Sequence, residues 1–283
     1  MKNILKIELK KAFSGPSFKT AMLISCFFCL ISILYEYGLY QYQKPYIEYW
    51  ADKYPVSQVF TLYSSWILIE QNSIGRTLFF FWIPVVASIP FATSFYVEEK
   101  KRQLRMVLVR AKRRDYFVTK YFAVFLAGAS VIAIPLALDF MVSAALYHAE
   151  VPIVIFPYFG VMSGEMWSEI FYSKPLLYVI GYIGIEGIYG GLFAGTTYIL
   201  SFFIKRRIAV LGIPLFLYLF TDIVRKYVSY WNPSITLNSD FSPYGFLRRQ
   251  GYGSNGWVIL GIAAGLLLIH FIVLYRSEKY EIY

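Results

Sequence analysis

Acidic residues lie inside several apolar stretches of this 283-residue chain, and three of them are candidate functional groups. Glu186 lies about 10 residues from the predicted outer end of its run, which at ~1.5 Å per residue is roughly 15 Å deep. Asp139 and Asp222 lie nearer the outer ends of two other runs. A carboxylate inside a membrane is costly unless it is paired, protonated or hydrated. Facing one cavity, the three would suit a cationic substrate or a proton relay, and the alternative is that they are hydrogen-bonded structural acids.

No motif of a nucleotide-binding or catalytic site is found in the sequence. The nearest text to a phosphate-binding loop, SGPSFKT, lacks the glycine before the lysine and opens an apolar run instead of following a strand. His148 and His270 are isolated, and the pair Cys26 and Cys29 has no second pair to complete a metal site. We therefore expect no catalytic residue, cofactor or metal in this chain, and a membrane-embedded enzyme is kept as an alternative.

These acids need helices that cross a membrane. Hydrophobic residues make up 58% of the chain, and the mean hydropathy is +0.53, more apolar surface than one soluble core buries. A run of about 20 apolar residues crosses a bilayer as a helix. We predict an all-α membrane protein that forms a single transmembrane domain over residues 1–283. Its six predicted spans are 18–39, 78–97, 117–147, 176–204, 208–224 and 257–275.

The basic residues indicate how the spans are oriented. Of the 27 Lys and Arg residues, 19 fall on the side of the predicted membrane that holds the two termini. An excess of positive charge marks the cytoplasmic face, so both termini are predicted to be cytoplasmic. The net charge of +10 is thus a topology signal, and we expect contact with membrane lipid and none with nucleic acid. The first run has no cleavage site after it and is expected to stay as an anchor.

Other segments have simpler patterns. At helical spacing, residues 1–15 place apolar side chains on one face and lysines on another. This pattern predicts a helix lying in the inner interface of the membrane. The short apolar runs 59–70 and 151–162 are predicted to be interfacial or re-entrant. In the fourth span, glycines recur every three or four residues. Such faces indicate close helix packing, and a moving helix interface in a transporter would use the same feature.

The loop 98–116, between the second and third spans, combines dense charge with an apolar stripe. The stripe is formed by Leu104, Val107, Leu108 and Ala111 at helical spacing, with arginines on both sides. A solvated basic loop would explain the arginines but not the stripe. The stripe predicts a short amphipathic helix that packs against a partner.

At this loop the chain resembles the permease subunits of ABC type-2 exporters. In that family an acidic pair ends the second span, a leucine-rich coupling helix follows, and an arginine-containing turn precedes a lysine in the third span. The matching residues are Glu98 and Glu99, LRMVLV at 104–109, Arg113 and Arg114, and Lys120. The N-terminal interfacial helix and the six spans match the same architecture.

The resemblance implies an ATP-driven exporter made of separate parts. A partner ATPase subunit would hold ATP and Mg, and a second copy of this chain or a related permease would complete the path. The cargo we favour is an amphipathic or hydrophobic peptide of antimicrobial or toxin type; drugs, lipids and a non-transporting scaffold are the alternatives. The implied ATPase contacts are Glu98, Glu99, Arg102, Leu104, Arg105, Val107, Leu108, Ala111, Arg113 and Arg114.

Overall fold

The computed structural model describes residues 2–50, 60–70, 72–95, 98, 113–152, 161, 165–204, 206–233, 240–249 and 254–276. Its described residues form helices and turns, with no β-strand among them. In chain order the helices are α1 (Lys2–Ser14), α2 (Pro16–Trp50), α3 (Ile74–Ser88), α4 (Arg113–Leu146), α5 (Ser168–Ser173), α6 (Pro175–Leu200), α7 (Arg207–Trp231), α8 (Pro243–Leu247) and α9 (Gly256–Arg276).

Five of these helices, α2, α4, α6, α7 and α9, are long and apolar enough to cross a membrane. The predicted multi-pass, all-helical architecture is confirmed at that level. Several helices extend beyond the predicted spans: α2 has 35 residues and α4 has 34. At ~1.5 Å per residue both exceed the roughly 30 Å of a bilayer core, so their ends project into the interfaces.

The predicted second span, 78–97, is shorter in the structure. Helix α3 has only 15 residues, and Ser73 caps its start by accepting a 3.0 Å hydrogen bond from the Arg76 backbone N–H. It ends just before Pro90, whose ring removes a backbone donor, and the chain continues in turns over residues 89–93. Residues 96 and 97 lie outside the described part. The second predicted span, and with it the total of six spans, therefore stays a prediction.

Helix α6 lies at the centre and packs against α3, α4, α7 and α9. Its closest packing is with α4, where Gly190 and Gly128 face each other. A methyl group added at Gly190 would lie 2.7 Å from Ile132 Cγ1 and 3.0 Å from the Gly128 carbonyl oxygen. Glycine permits this approach because it has no side chain to hold the helices apart.

The run 59–70 is buried among the helices over its described part, residues 60–70. Trp66 and Ile67 are fully buried, and the Trp66 indole N–H donates a 3.3 Å hydrogen bond to the Leu136 carbonyl of α4. This burial fits the re-entrant alternative for the run, since irregular backbone at membrane depth needs protein around it. Most of the second short run, 151–162, lies outside the described residues.

Candidate functional site

Five residues, the inner ion cluster, join α1 to both ends of the predicted coupling loop; Lys11 is exposed and the other four are buried or largely buried. Lys120 of α4 is fully buried, with its Nζ 2.6 Å from Glu98 Oε2 and 3.5 Å from Glu8 Oε2. Lys11 Nζ lies 2.7 Å from Glu8 Oε1 and 3.6 Å from Glu98 Oε1. The Tyr116 hydroxyl donates to Glu98 and accepts a 3.0 Å hydrogen bond from Lys120. Two ammonium groups thus face two carboxylates, and their charges balance.

Helical spacing on two elements builds this cluster. Glu8 and Lys11 are three residues apart on α1, and Tyr116 and Lys120 are four apart on α4, so each pair shares a helix face. Ala12 of α1 is also fully buried, and its small side chain allows α1 to lie close to α4. These contacts place the N-terminal helix directly against the start of α4.

Most of the cluster is shielded from water, so its charged groups depend on one another for stabilisation. Burial by itself would raise the pKa of Glu98, but Lys120, Tyr116 and Lys11 lower that pKa below its ordinary value. Burial would likewise lower the pKa of Lys11. Its hydrogen bond to Glu8 and its electrostatic attraction to Glu8 and Glu98 raise that pKa above its ordinary value instead. Both shifts favour the charged forms. Removing one member would leave an uncompensated buried charge, which is strongly destabilising.

Of the ten implied ATPase contacts, the structure describes Glu98, Arg113 and Arg114. Glu98 belongs to the inner ion cluster, and the two arginines are exposed in the first turn of α4. The remaining seven fall in residues 99–112, outside the described part: Glu99, Arg102, Leu104, Arg105, Val107, Leu108 and Ala111. The coupling helix and its apolar stripe therefore stay predictions.

Glu186 is fully buried near the middle of α6, about 16 Å from the start of that helix at ~1.5 Å per residue. Neither of its carboxylate oxygens has a hydrogen-bond partner among the described residues. Arg76, buried at the start of α3, interacts with it electrostatically. An unpartnered buried carboxylate at this depth keeps Glu186 as a substrate-path candidate.

The other two membrane acids have different surroundings. Asp139 Oδ2 accepts a 3.2 Å hydrogen bond from the Ile67 backbone N–H. Asp222 pairs with Arg225 at 3.0 Å and with Lys226 at 2.8 Å. Within the described chain, no hydrogen bond or ion pair joins the three acids to one another. The common cavity that we considered from the sequence stays a prediction, and Asp222 has ion-pair partners on its own helix.

Sequence reasoning singled out Glu98 and the basic residues but missed Glu8 as their partner. Glu8 is 2% exposed and bridges Lys11 and Lys120. A signal was present, because Glu8 is the only acid among the lysines of the N-terminal helix and lies three residues before Lys11. A buried carboxylate was not anticipated in a helix assigned to the membrane surface.

A second set of buried contacts lies at the start of α6, and sequence reasoning also missed it. Arg249 Nη2 lies 2.5 Å from Glu165 Oε2, and its guanidinium stacks over the rings of Tyr178 and Tyr182. These contacts join the segments that hold Glu165 and Arg249 to the start of α6.

Comparisons of the chain with protein-family models, with curated protein sequences and with solved structures found no match.

Proposed function

We propose that this chain is the permease subunit of an ATP-driven ABC exporter in a bacterial plasma membrane. The observation that carries the proposal is the inner ion cluster, which joins Glu98, just before segment 99–112, and Lys120, after it, to α1. A segment with a predicted apolar stripe between two such anchored residues suits a docking element for a cytoplasmic ATPase.

The cluster gives such docking a mechanical consequence. Glu98 lies on the stretch of chain that continues from α3, and Lys120 lies on α4. A push on 99–112 would therefore reach that stretch and α4 through one ion pair. Glu8 links the same pair to α1. Movement of an ATPase during ATP hydrolysis would then shift these three elements as one body. The ATP and Mg would be bound by the partner, and two permeases would enclose the path.

The cargo we propose is an amphipathic or hydrophobic peptide, with Glu186 in its path. A buried carboxylate without a hydrogen-bond partner suits a cationic group or a proton. Drugs and lipids are the alternative cargoes. Measuring ATP hydrolysis of the complex across a panel of cationic peptides, drugs and lipids would separate these classes, since a transported molecule raises hydrolysis.

The proposal is tested by isolating the partner. The tagged full chain would be purified from native membranes, and co-purifying proteins identified by mass spectrometry. We expect an ATPase with a Walker A sequence, lost when Leu104 and Leu108 are changed to Asp. Ile208→Asp is the matched control, because Ile208 is 87% exposed at the start of α7, on the same predicted face. A non-transporting scaffold would bind partners without such an ATPase.

A further inference from the structure

A wide groove runs between the first turns of α4 and the last turns of α9. Its volume is about 1170 Å³, larger than the roughly 300–1,000 Å³ of usual small-molecule pockets. Side chains such as Val118, Phe122, Leu267 and Phe271 line it. Phe122 is 50% exposed and Phe271 is 63% exposed, so the groove opens sideways, toward the predicted lipid.

The polar groups in its wall have partners within the protein. The Tyr121 hydroxyl lies 2.9 Å from His270 Nδ1, and Thr196 Oγ1 lies 3.0 Å from His270 Nε2. Both ring nitrogens of His270 are therefore engaged, and this side chain is 2% exposed. The surface left to an occupant is mainly hydrocarbon, which suits an acyl chain.

One end of the groove carries two arginines. Among the described residues that line this end, Arg113 and Arg114 are exposed and bring two positive charges, and Asp115 beside them brings one negative charge. This end lies at the predicted cytoplasmic interface, where lipid headgroups are found. Two arginines at the end of an apolar groove are complementary to a molecule with an anionic head and a hydrocarbon tail.

The length of the groove matches one leaflet. From Ala264 to Tyr275 its α9 wall covers eleven steps, about 17 Å at ~1.5 Å per residue. Half of a bilayer core is roughly 15 Å. A lipid whose headgroup meets the arginines would thus keep its tail inside the groove along the depth of the inner leaflet.

We propose that this groove is a binding site for an anionic phospholipid of the inner leaflet. Its phosphate would lie at Arg113 and Arg114, and one acyl chain would lie between α4 and α9. The site depends on the placement of the helices in the membrane and not on transport or on an ATPase. Because α9 contacts α4 less extensively than it contacts α6, a lipid would also fill the space between α4 and α9.

The test is native mass spectrometry of the full chain in detergent, titrated with phosphatidylglycerol or phosphatidylcholine. We expect tighter binding of phosphatidylglycerol, weakened about 30-fold in Arg113→Gln/Arg114→Gln, for two basic residues near an anionic headgroup. Arg206→Gln/Arg207→Gln is the matched control, since it removes the same charge from exposed residues on the same predicted face. This control should bind phosphatidylglycerol as the wild type does.

A second variant tests the apolar part. Ala264→Trp places a large ring in the groove and should lower binding of both lipids, with thermal unfolding used to check that the variant folds. Equal loss in the two arginine variants would overturn the proposal, because binding would then follow total charge. Displacement of the lipid by inorganic phosphate alone would overturn it too. So would a dimer that Ala264→Trp dissociates, since a second copy would then be the occupant.

Discussion

The Nζ of Lys120 lies 2.6 Å from Glu98 Oε2, although the two residues are 22 positions apart in sequence. Glu8 of α1 lies 3.5 Å from the same ammonium group. The N-terminal helix is therefore joined to the start of α4 and to Glu98 by one set of ion pairs. We expect these contacts to stabilise the position of Glu98 relative to α4.

Removing the buried ammonium group should destabilise the protein strongly. Lys120→Met leaves Glu98 and Glu8 with Lys11 as their one cationic partner in the cluster, and breaking a buried ion pair in this way costs about 3–5 kcal/mol. Unfolding of the purified protein in detergent measures this cost. Lys226→Met is the control, because that side chain is 64% exposed in its pair with Asp222 and should cost at most about 1 kcal/mol. Equal losses of unfolding free energy in the two variants would show that the inner ion cluster stabilises the protein no more than an exposed ion pair does.

The inner ion cluster should weaken in acid. The pKa of Glu98 is lowered from its ordinary 4.5 in the folded protein. A carboxylate shifted in this direction stabilises the fold fully above its unfolded pKa, and the contribution is lost as pH falls through the folded pKa. Between about pH 5 and about pH 3, the thermal midpoint of the wild type should therefore fall more than that of Glu98→Gln. Parallel curves for the two proteins would contradict this.

Glu8 should hold α1 in place. Glu8→Gln removes the charge that bridges Lys11 and Lys120, so backbone amides of α1 should exchange with deuterium faster. Hydrogen exchange followed by mass spectrometry resolves this helix from the rest. Glu48→Gln is the matched control, because Glu48 is 68% exposed and pairs with Lys44 at 3.9 Å. Unchanged deuterium exchange of α1 in Glu8→Gln would show that the inner ion cluster does not hold this helix in place.

The long helices could be predicted because their signal is local. An apolar run of bilayer length specifies a helix wherever it lies, so five long helices lie at predicted spans, although α2 continues well past its predicted end to Trp50. The end of α3 was harder to place, since the apolar run continues past Pro90 while the regular helix stops. Hydropathy measures the composition of a run and does not detect where its hydrogen bonding changes.

The partners of charged residues were less predictable than the helices. Nothing in the spacing of Glu8 and Lys120 says that they meet, because the contact depends on how α1 packs against α4. The sequence also grouped Glu186, Asp139 and Asp222 because each is an acid inside an apolar run. Position in a run does not give direction around a helix axis, and Asp222 pairs with Arg225 and Lys226 on its own helix.

The α4–α6 interface provides a test with an internal control. Gly190→Ala places a methyl group 2.7 Å from Ile132 Cγ1, and overpacking of this kind costs about 1–3 kcal/mol. Gly184→Ala meets nothing within 4 Å and should be neutral or stabilise α6 by up to about 1 kcal/mol. In the same detergent, the thermal midpoint of Gly190→Ala should therefore fall below that of the wild type, and that of Gly184→Ala should be unchanged or higher. Similar midpoints would mean that the two helices are not closely packed at Gly190.

Glu186 should matter for transport more than for folding. Neither carboxylate oxygen has a hydrogen-bond partner in the described chain, so Glu186→Gln removes charge without breaking a bond. We expect a normal thermal midpoint and loss of the stimulation of ATP hydrolysis by cationic peptides. Asp139→Asn is a useful comparison, because Asp139 accepts a hydrogen bond from Ile67 and should affect stability first. Unchanged stimulation in Glu186→Gln would remove Glu186 from the substrate path.

ATP hydrolysis by the affinity-purified chain is the most direct test of the proposed function. The chain would be isolated from native membranes in wild-type, Leu108→Asp and Ile208→Asp forms, at equal amounts and with equal thermal midpoints. We predict hydrolysis in the wild-type and Ile208→Asp samples and background hydrolysis in the Leu108→Asp sample. Hydrolysis that is absent from the wild type, or fully retained in Leu108→Asp, would contradict docking of an ATPase on segment 99–112.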